Sequence, residues 1–280
     1  MAELRLFVVV NVADNRIPDR TDDIYRPSPR LFKRFAGGAD ILRVGTLVAR
    51  FVVFEHGGHE RPVITRGSKH SRFRFTSRKT GLTQLGEGKG EEFFAYTNEI
   101  DGHVFDYQCH PGEFEISRPG GSFRYRPDAL RQFVDGTVEL IEVKRTLADL
   151  SDPEFREKLA LVREIARKGG WRFRVIYNSD VYGPCHLVRK RNVEGIFSRR
   201  SLLLNRRQES IGKRLASSGG ALTWQDLSER LAPGDALSGD AAIECLLARG
   251  LFVTNLDRPF SIATVLHPVR PYRGQSLIRL

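Results

Sequence analysis

The segment "VELIEVK", residues 138–144, limits what this chain can fold into more than any other stretch. As a strand it sends Leu140, Glu142 and Lys144 to one face and Ile141 and Val143 to the other. A strand buried on both sides excludes an unpaired acid and an unpaired base. Glu142 and Lys144 are therefore expected at the end of a largely buried strand, where one face opens to a wet site. Upstream, in "YRPDALRQF", Asp128 follows Pro127, and "VDG" reads as the hairpin turn between the two segments. Antiparallel pairing through that turn would return the Asp128 carboxylate to a position beside Glu142. Two carboxylates and one ammonium would then converge.

Such a group suits phosphodiester hydrolysis. Hard divalent cations take oxygen ligands, so carboxylates at a strand end make a fitting cage for Mg2+, with Mn2+ able to substitute. Cleaving an anionic phosphodiester calls for an activated water and for neutralised charge on the phosphoryl oxygens. A lysine beside the cage can position the water or stabilise charge developing in the transition state.

The surrounding elements read as helix, three strands, helix, strand. "GEEFFAYTNEID" spaces Phe93, Phe94, Thr97 and Ile100 helically, with the Gly86 to Gly90 run as the loop leading into it. "HVFDYQC" and "GEFEIS" look like strand segments around the turn-prone "HPG", and the strands "SFRYRPDALRQF" and "TVELIEVKR" follow. "SDPEFREKLALVREIARKGG" carries Ser or Asp as a cap, an early Pro, a stripe of Phe155, Leu159, Val162 and Ile165, and a Gly-Gly end. "WRFRVIYN" then reads as a mostly buried strand.

The spacing of Asp128, Glu142 and Lys144 resembles the PD-(D/E)-x-K nuclease superfamily, which uses this order of elements. The upstream segment "SRKTGLTQLGEGKGEEFFAYTNEIDGHVFDYQCHP" is similar to the TnsA endonucleases of heteromeric cut-and-paste transposons. In that family a Ser-x-Lys-Thr-Gly turn precedes a helix bearing the first catalytic acid, followed by a strand leading to a Gln-Pro or Gln-x-Pro turn. The resemblance runs from about Arg72 to Tyr177. It implies catalytic Glu91, Asp128, Glu142 and Lys144, with metal held by Glu91, Asp128, Glu142 and the carbonyl of Val143. Glu87 and Glu92 compete with Glu91 for the helix position, although Ala95 and Asn98 continue the Glu91 face. His110 stands near where the family shows a glutamine, and reads as a turn residue, with contact to substrate as the alternative. The resemblance further implies double-stranded DNA as substrate, with a DDE transposase and an AAA+ ATPase regulator as partners.

Charge agrees with a polyanionic partner: Lys and Arg number 45 against 34 Asp and Glu, a formal +11. The basic run holding Arg66, Lys69, Arg72, Arg74, Arg78 and Lys79 is the expected DNA contact. Its "SRFRFTSRKTG" alternates, so that Arg72 and Arg74 face away from Phe73 and Phe75. A second basic region, residues 187–214, reads as a linker able to touch DNA. No apolar run is long enough to span a bilayer, and Leu6 to Val12 reads as a strand rather than a signal peptide, so a cytoplasmic chain is expected. Three cysteines in no framework spacing point to reduced thiols, and the Cys109-His110 and Cys185-His186 pairs do not match zinc spacing. "GEGKGEE" lacks the Walker order, so nucleotide hydrolysis would belong to a partner.

From Ile196 onward three short helices and a hairpin read as a winged helix, with Trp224, Leu227, Leu231, Ile243, Leu246 and Leu247 as its core. The fold expected is α/β: a restriction-endonuclease-like mixed sheet flanked by helices over residues 1–188, with the winged-helix domain over 196–280. A restriction- or resolvase-type nuclease would share the chemistry. A non-catalytic winged-helix DNA-binding regulator would keep Glu142 and Lys144 only as an ion pair.

Overall fold

The computed structural model describes residues 29–30, 42–44, 47–54, 71–270, 274 and 276. The strand expected at Leu6 to Val12, and Arg66 and Lys69 of the basic run, lie outside the described residues. In chain order the first elements are β1 (Pro29–Arg30), β2 (Leu42–Val44), β3 (Leu47–Phe54), β4 (Arg72–Thr76), β5 (Thr83–Glu87) and α1 (Gly88–Ile100). Then come β6 (Val104–Cys109), β7 (Gly112–Arg118), β8 (Gly121–Tyr125), β9 (Ala129–Phe133), β10 (Val138–Lys144), α2 (Pro153–Lys168) and β11 (Arg172–Tyr177).

A four-stranded mixed sheet of order β11-β10-β9-β6 lies at the centre. β10 runs antiparallel to β9, with Leu140 opposite Leu130, and parallel to β11, with Glu142 opposite Val175. Alternation along β9 and β10 divides their side chains between two helices. Leu130, Val138 and Leu140 pack with Leu159, Val162 and Ile165 of α2, whereas Ala129 and Ile141 pack with Phe94 of α1. α2 begins as its sequence predicts, with Asp152 accepting from the Glu154 N–H and Pro153 in the first turn.

Two expectations need correction here. "SFRYRPDALRQF" is not one strand, because the chain turns at Pro127-Asp128: β8 joins an outer sheet with β1, β2, β3 and β7, and β9 enters the central one. The Gly86–Gly90 run is not a loop, because β5 passes directly into α1 at Gly88, whose φ of 84° makes the bend that only glycine takes without strain.

α1 is held on the sheet by a buried polar link. Arg131 of β9 donates to Glu139 at 2.6 and 2.8 Å and to the Asn98 side-chain oxygen at 3.1 Å, and its guanidinium lies over the rings of Phe94 and Phe133. The same, carboxyl-terminal end of α1 is also clamped by the Ser77–Gly81 turn. Glu99 accepts from the Ser77 and Tyr107 hydroxyls at 2.5 and 2.7 Å and from the Arg78 and Lys79 N–H groups.

After β11 the chain forms α3 (Asn178–Tyr182), α4 (Leu187–Arg199), α5 (Arg206–Ser218), β12 (Leu222–Thr223), α6 (Trp224–Leu231), α7 (Ala236–Ala248), β13 (Phe252–Val253) and β14 (Val265–Pro268). The three short strands pair in the order β12-β14-β13. Thr223 caps α6 as expected, and Trp224, Leu227, Leu231, Ile243, Leu246 and Leu247 are all buried. The basic region read as a linker instead contains α4, whose Val193, Ile196 and Phe197 are buried in one cluster with Phe75 and Phe93 on one side and Leu246 and Leu247 on the other. The expected boundary between residues 188 and 196 thus falls inside a helix. Among the described residues, no helix is long and apolar enough to cross a membrane.

Candidate active site

Asp128 sits at the turn into β9 and is fixed by its own backbone. Its N–H donates to the Ile141 carbonyl at 3.1 Å, and its carbonyl accepts from the His110 N–H at 2.8 Å. Its carboxylate accepts from the Val143 N–H at 2.7 Å, which ties it to the strand bearing Glu142 and Lys144. The hairpin therefore returns Asp128 to Glu142, as the pairing argument requires.

Glu142 is 3% exposed, so the face it shares with Lys144 is not the wet surface its sequence suggests. One of its oxygens accepts from the Tyr125 hydroxyl at 2.6 Å, and the other accepts from the Lys144 ammonium. Burial and the Glu142 charge push the Tyr125 phenol well above its usual value, which keeps it a donor. Burial works to lower the Lys144 ammonium, but Glu142, with Asp128 and Asp149 behind it, holds it above its ordinary value and charged. The ammonium also lies 4.8 Å from the centre of the Phe155 ring.

Of the three glutamates around the start of α1, only Glu91 turns toward this group. Its Oε2 accepts from the Glu87 N–H and from His110 Nε2, each at 3.0 Å. Glu87 pairs with Arg72 at 3.7 Å, and Glu92 is taken by Lys89 at 2.6 Å and the Tyr96 hydroxyl at 3.0 Å. Glu87 and Glu91 both line a cleft of about 410 Å³ with Lys89, Lys144, Arg145 and Asn178, whereas Asp128 and Glu142 are not among the residues that line it. Gly90 leaves room for Asn178 there: a Cβ would lie 2.0 Å from Asn178 Oδ1 and 3.1 Å from Val143 Cγ1, so the Asn178 side chain would have to move.

The electrostatics register the convergence. Burial, then the charges of Glu142 and Glu91, push the Asp128 carboxyl up to about 8, against the opposing pull of His110 and the Val143 N–H. An excess of carboxylate built from oxygen donors is the chemistry a hard cation neutralises. As they stand, the side chains do not form a closed cage: among the described residues, no three His, Cys, Asp or Glu side chains are grouped to hold a metal ion. The donor chemistry of Glu91, Asp128, Glu142 and the Val143 carbonyl fits Mg2+, while Glu142 and Glu91 are each held by protein donors.

Within the basic run, β4 alternates as predicted, with Arg74 exposed and Phe73 and Phe75 buried. Arg78 is exposed and donates to the Arg200 carbonyl at 3.0 Å. Lys79 differs from its expected role at DNA. Its ammonium donates at 2.6 Å to the Asn98 and Asp101 carbonyls at the end of α1, and burial brings its pKa down to about 8. Sequence reasoning missed Tyr125 and Asn178 altogether and favoured a turn for His110 over contact with substrate. The signal for His110 was a histidine before Pro-Gly at a strand end, where its backbone now has a φ of 46°.

Residues 101–178 match the family model described as TnsA-like endonuclease N terminal. The matched segment contains His110, Asp128, Glu142 and Lys144, and Glu91 lies just before it. No curated protein matches the chain. From the end of α1 to the start of α3, the segment that builds the central sheet and its strand-end acids is similar to the N-terminal domain of TnsA-like endonucleases.

Proposed function

We propose that the chain is a Mg2+-dependent DNA endonuclease of a heteromeric cut-and-paste transposon, hydrolysing the non-transferred strand at transposon ends. The observation that carries this reading is the Asp128 carboxylate, which accepts from the Val143 N–H at 2.7 Å and so lies against the strand that bears Glu142 and Lys144, its carboxyl raised by burial and then by the charges of Glu142 and Glu91. Glu91, Asp128, Glu142 and the Val143 carbonyl are the groups that would hold Mg2+, or Mn2+ in its place. When bound, the ion would activate water and neutralise charge on the phosphoryl oxygens. Lys144, charged and aimed by Glu142, contributes a donor toward charge developing on the phosphate. Arg72, Arg74 and Arg78, with Arg66 and Lys69 of the same run, would hold the phosphate backbone of double-stranded DNA and contribute affinity rather than sequence choice.

The helix, strand, two helices and hairpin of residues 206–268 are the order of a winged helix. Arg249, the cation at the end of α7, is engaged with Glu209 and the Leu202 carbonyl, which favours partner docking over base reading. The partner classes are an AAA+ ATPase regulator and a DDE transposase that cuts and joins the transferred strands. A regulator without catalysis would need Glu142 and Lys144 only as an ion pair. A buried acid beside a second carboxyl of raised pKa is an expensive way to make such a pair.

The test is plasmid nicking in Mg2+ or Mn2+ by the wild type, Asp128→Ala and Lys144→Ala, alone and with the transposase and ATPase. Wild-type cutting lost in both variants is the expected result. Equal cutting by all three, or none with partners present, overturns the reading.

A further inference from the structure

We propose that His110 is a positioning residue for Glu91, fixing one carboxylate oxygen so that the other is presented to the cleft; this rests on the metal-dependent reading above. Among the described residues His110 is the one non-glycine residue with a positive φ, 46°. That conformation is disfavoured for a residue with a Cβ, and a turn alone would favour Gly or Asn. What histidine adds is reach. The imidazole is buried, and its Nε2 lies 3.0 Å from Glu91 Oε2, while the His110 N–H holds the Asp128 carbonyl at 2.8 Å. The acceptor is a carboxylate, so Nε2 carries the proton.

One residue thus spans the two acids, contacting the side chain of one and the backbone of the other. Both donors to Glu91, His110 Nε2 and the Glu87 N–H, fall on Oε2. Among the described residues none reaches Oε1. A carboxylate held at one oxygen by a histidine and left free at the other is oriented before any ligand arrives, as outer partners orient metal-binding carboxylates generally. His110 would act through Glu91 and would not itself touch substrate.

The experiment is Mn2+ binding to the full chain without DNA, followed by electron paramagnetic resonance, for the wild type, His110→Asn and His110→Gln. Asn tolerates the left-handed backbone but is too short to reach Glu91, whereas Gln restores a donor of similar reach. The expected result is a roughly 10-fold or greater loss of affinity in His110→Asn with its metal-free melting temperature retained, and recovery of most of that loss in His110→Gln. Unchanged affinity in His110→Asn, or equal losses in both variants, overturns the assignment while leaving the nuclease reading intact. No Mn2+ binding by the wild type would remove the metal-dependent reading and this inference together.

Discussion

Tyr125, the last residue of β8, donates its hydroxyl to Glu142 in β10 at 2.6 Å, so the outer sheet is pinned to the strand that carries Lys144. Tyr125→Phe leaves a buried carboxylate oxygen without its donor and should cost about 1–3 kcal/mol in urea unfolding. The same variant should nick more slowly, because the Glu142 side chain that aims Lys144 loses one of its two anchors.

The three glutamates at the start of α1 should separate by function. Glu91→Gln is expected to reduce nicking by roughly 100-fold or more, while Glu87→Gln and Glu92→Gln stay within a few-fold of wild type. Initial nicking rates at saturating Mn2+ measure this, and an equal loss at Glu92 would contradict the orientation found for Glu91.

The Ser77–Gly81 turn should answer to stability and Arg74 to DNA. Glu99→Ala strands the Ser77 and Tyr107 hydroxyls and two backbone donors, and should cost about 3 kcal/mol or more. Arg74→Ala, at an exposed site, should stay within about 0.5 kcal/mol of wild type. It should weaken duplex binding at low salt and flatten the dependence of affinity on salt, as fluorescence anisotropy would report.

Two pH windows of opposite sign are expected in metal-free unfolding. Asp128 keeps its proton to about pH 8 when folded, against an ordinary value of 3.8, so the folded chain binds more protons between these limits and stability falls as pH rises through them. Lys79 releases its proton near pH 8 when folded, against 10.5 ordinarily, so from about 8 to 10.5 the unfolded chain binds more protons and stability rises. Asp128→Asn should flatten the lower window and Lys79→Met the upper one, as urea titrations from pH 5 to 10 would reveal.

Gly90→Ala should disturb the cleft through Asn178 Oδ1, which would stand 2.0 Å from the new Cβ. Destabilisation of about 1–3 kcal/mol is expected, with partial recovery in Gly90→Ala/Asn178→Ala. Additive losses in the pair would show that the clash lies elsewhere.

Much of this was legible from residue order, for a physical reason. The alternation of "VELIEVK" and the hairpin turn determine where Asp128 falls relative to Glu142, and both are local rules. The cap and stripe of α2, and the alternation of β4, are equally local. What stayed hidden depends on contacts far apart in sequence. Tyr125 reaches Glu142 only because the chain changes sheets at Pro127-Asp128, and a continuous run of strand-forming residues gives no sign of that. Lys79 looks like a surface cation until α1 ends against it. The choice among Glu87, Glu91 and Glu92 rests on which side of α1 meets the imidazole of His110, and helical spacing alone favoured Glu91 without supplying that partner.

α4 lends one apolar side to the helix that bears Glu91 and the other to α7. Cutting the polypeptide at residue 188 would leave Val193, Ile196 and Phe197 with α7 on the carboxyl-terminal piece and strip Phe75 and Phe93 of their cover on the other. The amino-terminal piece then lacks part of the cluster that packs against the helix bearing Glu91. A load applied to the carboxyl-terminal helices has a direct mechanical route to the amino end of the cleft.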